Sequence, residues 1–323
     1  MQGLAMLFLR VLLIGGATFL LIALGLIASQ RPGAPFTTGG LLFPDRGTAP
    51  TAPAVERFTA RDGVQLAYRR FDGPASAPLL VLIHGSGGHG LFYADLAARL
   101  SQHATVLLPD LRGHGASRAA APDVTHIGQL EEDIADLAQA HLAPGQALVL
   151  AGHSSGGGLV VRYAGGTQTP RPEGAVLLAP FLQHDAPTMR ENSGGWARPM
   201  VRRIIGLSML NGVGIRALNG LAVIEFNVPE GLRDQLTGSY SHRLNTSYAP
   251  RRDYLADVAA LPPFLLIAGD ADEAFRADRY QQVLAPANPE GDYHLIPAIS
   301  HLGVIDAPVT TRLMEDFLDR FHQ

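Results

Sequence analysis

A chain of 323 residues, 47% apolar and 17% charged, holds enough material for one large α/β domain with an insertion or for two small domains, and is too apolar for extensive disorder. A formal net charge of −4 without any basic block excludes a nucleic-acid binder, which needs a concentrated positive face to displace counterions from phosphates. The absence of Cys excludes disulfides, a thiol nucleophile and thiolate metal sites.

Residues 4–28 are apolar with a single charge, Arg10, and residues 11–28 carry none. At about 1.5 Å rise per residue such a run crosses a hydrocarbon core of about 30 Å if the Arg10 side chain snorkels to the interface. Residues 1–30 are therefore expected to form an uncleaved single-pass membrane anchor. A cleaved signal peptide is the alternative, but its apolar region usually runs about 7–15 residues before a small-x-small site. Here the run is longer, and Ala23-Leu24-Gly25 lies inside it. Arg10 on one side faces Arg31 and Arg46 on the other, which orients the span poorly. The export-type N-terminus makes an extracytoplasmic placement of the remaining chain the expectation. Residues 31–54, rich in Pro, Gly, Thr and Ala without a period, read as a linker.

From Val55 the pattern becomes regular. Residues 55–60 and 64–71 alternate around Asp62-Gly63, a hairpin signal. Short apolar runs at 79–83, 105–108, 147–151, 175–179 and 264–268 are those of strands buried on both faces, with a weaker candidate at 293–296. Helical spacing appears at 91–101, 130–141 and 309–321, and another helix is expected just after Ser154. Strand alternating with helix implies a mainly parallel sheet covered on both sides, with ligands at the carboxyl ends of its strands. Residues 182–261 contain no apolar run of the same kind. A structureless loop of that length is improbable in a compact domain, so a small helical insertion is expected there.

The most specific local signal is Gly152-His153-Ser154-Ser155-Gly156, lying between an apolar strand and a helix. Flanking glycines let backbone segments pass closely while the serine is forced into a tight turn that presents its hydroxyl. Ser154 is thus the candidate nucleophile, and it needs a base. Among 12 histidines, His301 alone sits in a loop after the last candidate strand and before the last helix, beside Ser154. The acid that orients His301 should come from the turn Gly269-Asp270-Ala271-Asp272-Glu273, where the residues by themselves leave Asp270 and Asp272 as alternatives. His84-Gly85-Ser86-Gly87-Gly88 follows another strand, and the amides of Ser86 and Ser155 form the expected oxyanion pair.

Taken together, HGSGGHG at 84–90, DLRGHGAS at 110–117, GHSSGG at 152–157, GDAD at 269–272 and SHLG at 300–303 resemble the α/β-hydrolase superfamily, and within it the monoacylglycerol lipase/lysophospholipase-like group. The resemblance implies an α/β-hydrolase core over 55–181 and 262–323 with residues 182–261 as cap. It also implies Ser154 as nucleophile, Asp272 as acid, His301 as base, and Ser86 and Ser155 as backbone oxyanion donors. The DLRGHGAS block is a structural turn in this family, which leaves Asp110 and His114 outside the mechanism. One departure is Glu273-Ala274-Phe275, where many relatives carry an apolar residue and Pro. The expected activity is a membrane-anchored serine hydrolase of lipid-like or apolar acyl esters, acting through an acyl-enzyme without cofactor or metal. Its expected partners are a small-molecule or lipid ester and the membrane, with no nucleic acid. Amide, peptide or C–C bond cleavage and perhydrolysis are alternatives on the same scaffold. A non-catalytic binding protein of this fold would lack a triad member, and none is missing.

Overall fold

The apolar start of the chain forms one long helix, α1 (Gln2–Ala28), in a computed structural model that describes residues 2–33, 36, 39–44 and 52–322. By length and composition α1 is able to cross a membrane. A hairpin follows, β1 (Glu56–Thr59) and β2 (Gln65–Phe71), and then β3 (Leu79–Ile83), α2 (Ala94–Leu100), β4 (Thr105–Pro109), α3 (Gln129–His141), β5 (Leu148–His153), α4 (Ser155–Ala164) and β6 (Gly174–Leu178). The insertion contributes β7 (Ala197–Pro199), α5 (Val201–Gly212), β8 (Ala222–Phe226), β9 (Ser239–Ser241), α6 (His242–Tyr248) and α7 (Tyr254–Ala259). The chain then returns through β10 (Phe264–Gly269), α8 (Tyr280–Leu284), β11 (Gly291–Ile296), α9 (Gly303–Asp306) and α10 (Pro308–Leu318).

The main sheet runs β1-β2-β4-β3-β5-β6-β10-β11. Only the β1–β2 and β2–β4 pairs are antiparallel. Every residue of β3, β4, β5, β6 and β10 is buried, because helices cover both faces and leave no side for polar residues. Ile83 pairs with Gly152, His153 with Leu178, and Gly269 with Ile296, so the turns after these strands emerge side by side.

The insertion differs from the helical expectation. It contains a second, antiparallel sheet, β7-β8-β9, beside its helices. These strands are only partly buried, with no continuous apolar run, and draw their stability from packing rather than from a local pattern.

The last turns of α1 dock on α5. Ala23 and Ile27 are buried with Leu207, Leu210 and Val223. A Cβ at Gly206 would lie 2.5 Å from the Ala23 carbonyl oxygen, so this crossing requires glycine. The Gln30 side chain accepts the Arg202 amide at 2.8 Å, and Arg203 donates to the Ile27 carbonyl at 3.2 Å. Toward its start α1 leaves Leu4, Phe8 and Leu12 exposed.

Part of the segment read as a linker is built into the molecule. Gly40 N–H donates to the Gly194 carbonyl at 3.0 Å, and the Asn227 amide donates to the Gly39 carbonyl at 2.8 Å. Residues 34, 35, 37, 38 and 45–51 of that segment lie outside the described residues.

Candidate active site

Ser154 occupies the single-residue turn between β5 and α4, with φ 54° and ψ −121°. Such a backbone is sparsely populated for a residue with a Cβ and costs about 1–3 kcal/mol. Local bonds offset it: Ser154 N–H donates to the Leu178 carbonyl and Phe181 N–H to the Ser154 carbonyl, both at 2.9 Å. The neighbouring glycines are there for space. A Cβ at Gly152 would lie 2.2 Å from the Gly156 carbonyl oxygen, and one at Gly156 2.4 Å from that of Ile83.

His301 and Asp272 meet across the ends of β10 and β11. His301 Nδ1 lies 2.8 Å from Asp272 Oδ2, with the two side chains 2% and 0% exposed. Asp272 Oδ1 accepts the amides of Ala274 at 2.8 Å and Phe275 at 2.7 Å. Burial acts to raise the Asp272 carboxyl, but the charge and N–H of His301 together with these amides outweigh it and hold the group below the usual carboxylate range. Asp272 is therefore ionised near neutral pH and accepts the Nδ1–H of His301. The imidazole is held between His153, 4.6 Å away ring to ring, and the edge-on ring of Phe275 at 5.0 Å.

Asp270 has a different partner. It is exposed, and its Oδ1 accepts the Ala298 amide at 2.6 Å in the loop leading to His301. Glu273 accepts the His301 backbone amide at 2.9 Å through Oε2 and the Leu42 amide at 2.7 Å through Oε1.

Ser86 and Ser155 face each other with their hydroxyls hydrogen-bonded. Neither amide N–H donates to an acceptor among the described residues. The 84–88 turn that carries Ser86 is clamped by tyrosines. Tyr93 accepts Gly85 N–H at 3.1 Å and donates to His153 Nδ1 at 3.0 Å, while His153 Nε2–H donates to the His301 carbonyl at 3.0 Å. Tyr240 accepts Gly87 N–H at 2.6 Å and donates to His114 Nε2 at 2.7 Å. Tyr248 donates to the His84 carbonyl. Loss of hydration in its fully buried site pushes the His84 pKa down to about 4, and burial pushes His114 well below its ordinary value. Both rings are neutral near pH 7. His84 Nε2 thus accepts Leu111 N–H at 3.2 Å while Nδ1–H donates to the Gly85 carbonyl at 2.9 Å.

The DLRGHGAS block holds turns in place. Asp110 accepts the amides of Gly90 and Ala116, each at 2.8 Å. Arg112 forms a two-pronged pair with Asp133 at 2.7 and 2.9 Å.

Ser154, His301 and Ser86 line one cavity of about 390 Å³. Its walls are mostly apolar, including Leu41, Phe43, Leu91, Phe92, Trp196, Leu232, Leu236 and Ile305. Among the described residues no Asp, Glu or Arg lines it, including the nine arginines of residues 182–261. At the surface His103, Asp319 and His322 bring potential metal-ligand atoms within 4.8 Å of one another. Hydrogen bonding accounts for this group, with His103 Nδ1 2.6 Å from Asp319 Oδ1 and His322 Nε2 3.1 Å from the His103 carbonyl oxygen.

Tyr93, His153, Tyr240 and residues 41–44 carry no local signal in the sequence, because apart from the nearby Tyr93–Gly85 bond their hydrogen-bond partners lie 60 or more positions away in the chain. Glu273 did leave a trace, as the polar residue where relatives are apolar.

A profile of the Alpha/beta hydrolase family matches residues 80–311. The chain is 39% identical over 102 residues to the magnesium-chelatase 30 kDa subunit of Rhodobacter capsulatus, covering 32% of this chain and 35% of that protein. It is 35% identical over 109 residues to the proline iminopeptidase PfmaB of Pestalotiopsis fici, covering 33% and 38% respectively. These matches span little more than a third of the length of either curated relative. Among solved structures, a soluble variant of the monoglyceride lipase of Saccharomyces cerevisiae superposes with a TM-score of 0.66 at 17% identity, covering 87% of this chain and all of that one.

Proposed function

Because the chain belongs to the alpha/beta hydrolase family, we propose that it is a serine hydrolase of uncharged carboxylic esters with apolar acyl groups. The observation that carries this reading is the convergence, on one apolar cavity, of Ser154 on its tight turn, the His301–Asp272 pair and the two unused amides of Ser86 and Ser155. His301 Nε2 takes the Ser154 proton as Oγ attacks the ester carbonyl. Asp272 holds the imidazole in the required tautomer and stabilises the imidazolium. The carbonyl oxygen, now an alkoxide, receives hydrogen bonds from the Ser86 and Ser155 amides. His301 returns the proton to the leaving alcohol, and water, activated by the same imidazole, releases the acid.

The absence of charged side chains from the described cavity wall supports a neutral substrate. A peptide with a free amino terminus would bring a cation that no carboxylate there meets. The close packing of α1 on α5 through Gly206 supports an uncleaved anchor over a removed signal peptide, with the hydrolase domain held beside a bilayer.

A fluorophosphonate probe is expected to label the full-length protein in detergent and to fail on Ser154→Ala. Labelling or p-nitrophenyl ester turnover that persists in that variant would refute the assignment.

A further inference from the structure

Residues 39–44, which follow the anchor in sequence, form a strap without regular secondary structure along the cavity. Leu41 and Phe43 line the cavity, while Leu42 between them is 67% exposed. Phe43 packs against Trp196, ring centroids 5.8 Å apart. The seat of the strap is built. Gly39 has φ +78°, and a Cβ there would lie 2.4 Å from the Gly194 carbonyl oxygen. Gly40 N–H bonds that same carbonyl at 3.0 Å.

One carboxylate joins this strap to the base. Glu273 takes Leu42 N–H on one oxygen at 2.7 Å and His301 N–H on the other at 2.9 Å. It directly follows Asp272, which holds the imidazole of the same histidine. Charge-assisted bonds of this kind are short and directional, so one carboxylate links the strap to the His301 loop. We propose that Leu41, Phe43 and Pro44 are an acyl-selectivity wall of the active site, and that Glu273 is a positioning residue coupling occupancy of that wall to the placement of His301.

The proposal rests on the ester-hydrolase reading of Ser154 and goes beyond it. An acyl chain long enough to touch Leu41 and Phe43 seats the strap, and the seated strap orders His301. Part of the binding energy of the chain then appears in kcat and not only in KM.

The test uses full-length protein in detergent with p-nitrophenyl acetate and octanoate. Phe43→Ala is expected to lower the octanoate-to-acetate ratio of kcat/KM about tenfold. Glu273→Ala is expected to lower kcat for octanoate about tenfold through misplacement of His301, and acetate much less. Glu273→Gln, with one acceptor oxygen for two N–H donors, should fall between Glu273→Ala and wild type. Leu42→Pro, which removes the strap's N–H donor and also restrains the backbone at Leu41 and residue 42, should act like Glu273→Ala and serves if that variant does not fold. A merely structural role would lower the melting temperature and reduce both esters equally. Folded Glu273→Ala and Leu42→Pro proteins with the wild-type kcat ratio overturn the coupling. An unchanged chain-length profile in Phe43→Ala overturns the wall. Turnover surviving in Ser154→Ala overturns the underlying ester-hydrolase reading as well, which separates the two failures.

Discussion

On one side of the cavity Ser154, Asp272, His301 and the amides of Ser86 and Ser155 sit on turns that leave the ends of β3, β5, β10 and β11. On the other, Leu41, Phe43, Trp196, Leu232 and Leu236 come from the strap and from irregular parts of the insertion. The first side is held by backbone register and by hydrogen bonds in which buried histidines have defined partners. The second presents apolar side chains, such as Trp196 stacked on Phe226 at 5.4 Å, on a backbone tied down by the Gly40–Gly194 and Leu42–Glu273 hydrogen bonds. Hydrogen-bonded turns on a buried sheet fix atoms tightly, as bond-making chemistry requires. Apolar contact fixes only shape and volume, which suffices to select an acyl group and tolerates changes in sequence.

The sharpest way to break this division is Asp272→Asn. If the sheet side serves every substrate alike, kcat falls for acetyl and octanoyl esters together, by about three to four orders of magnitude. A loss confined to one chain length in a p-nitrophenyl ester series would contradict it.

Acid should reach the sheet side through its buried histidines. The pKa of His84 is pushed down to about 4 when folded, from an ordinary 6.5. Between those values the unfolded chain binds a proton that the folded protein does not, so stability rises with pH across the window. It is lost, by a few kcal/mol, as pH falls from about 6.5 to about 4. Burial raises the carboxyl of Asp133 against the opposing charge of Arg112, and this works in the opposite sense, the folded protein gaining a proton there before the unfolded chain does. Urea unfolding midpoints across this range, in wild type and in the non-titrating His84→Gln, isolate the histidine. An unchanged slope in His84→Gln would remove His84 from the account.

The smallest effect tests where the two sides join. Tyr240 belongs to the insertion yet its hydroxyl holds Gly87 and His114. Tyr240→Phe leaves a buried donor and a buried acceptor unpaired and should cost about 1–3 kcal/mol of stability. It should also lower kcat with little change in KM, because the Ser86 amide sits beside Gly87. A change in acyl-chain preference instead would assign Tyr240 to the selectivity wall.

Much of the architecture was legible in the residues. The apolar runs coincide with β3, β4, β5, β6 and β10 to within a residue or two, because strands buried on both faces exclude polar side chains and so announce themselves locally. The turn at Ser154 was legible for a similar reason, since glycine at 152 answers a close approach to Gly156 within the same turn, and glycine at 156 clears the Ile83 carbonyl of the neighbouring strand. Asp270 and Asp272 could not be separated that way. Both are aspartates of one turn, and only the fold aims one at His301 and the other at Ala298. The β7-β8-β9 sheet escaped notice because strands of three to five half-buried residues carry no period long enough to detect.

By itself, then, the sequence determined the core strands, the turn that bears Ser154 and the apolar length of α1, all properties that neighbouring residues impose on one another. Tertiary structure alone decided that Glu273 holds both Leu42 and His301, that Tyr93 and Tyr240 clamp the 84–88 turn, and that Leu41, Phe43 and Pro44 line the cavity. Apart from the Tyr93–Gly85 bond, eight positions long, each of these joins groups tens to hundreds of positions apart, and no local pattern records a contact that only the folded sheet and its insertion bring about.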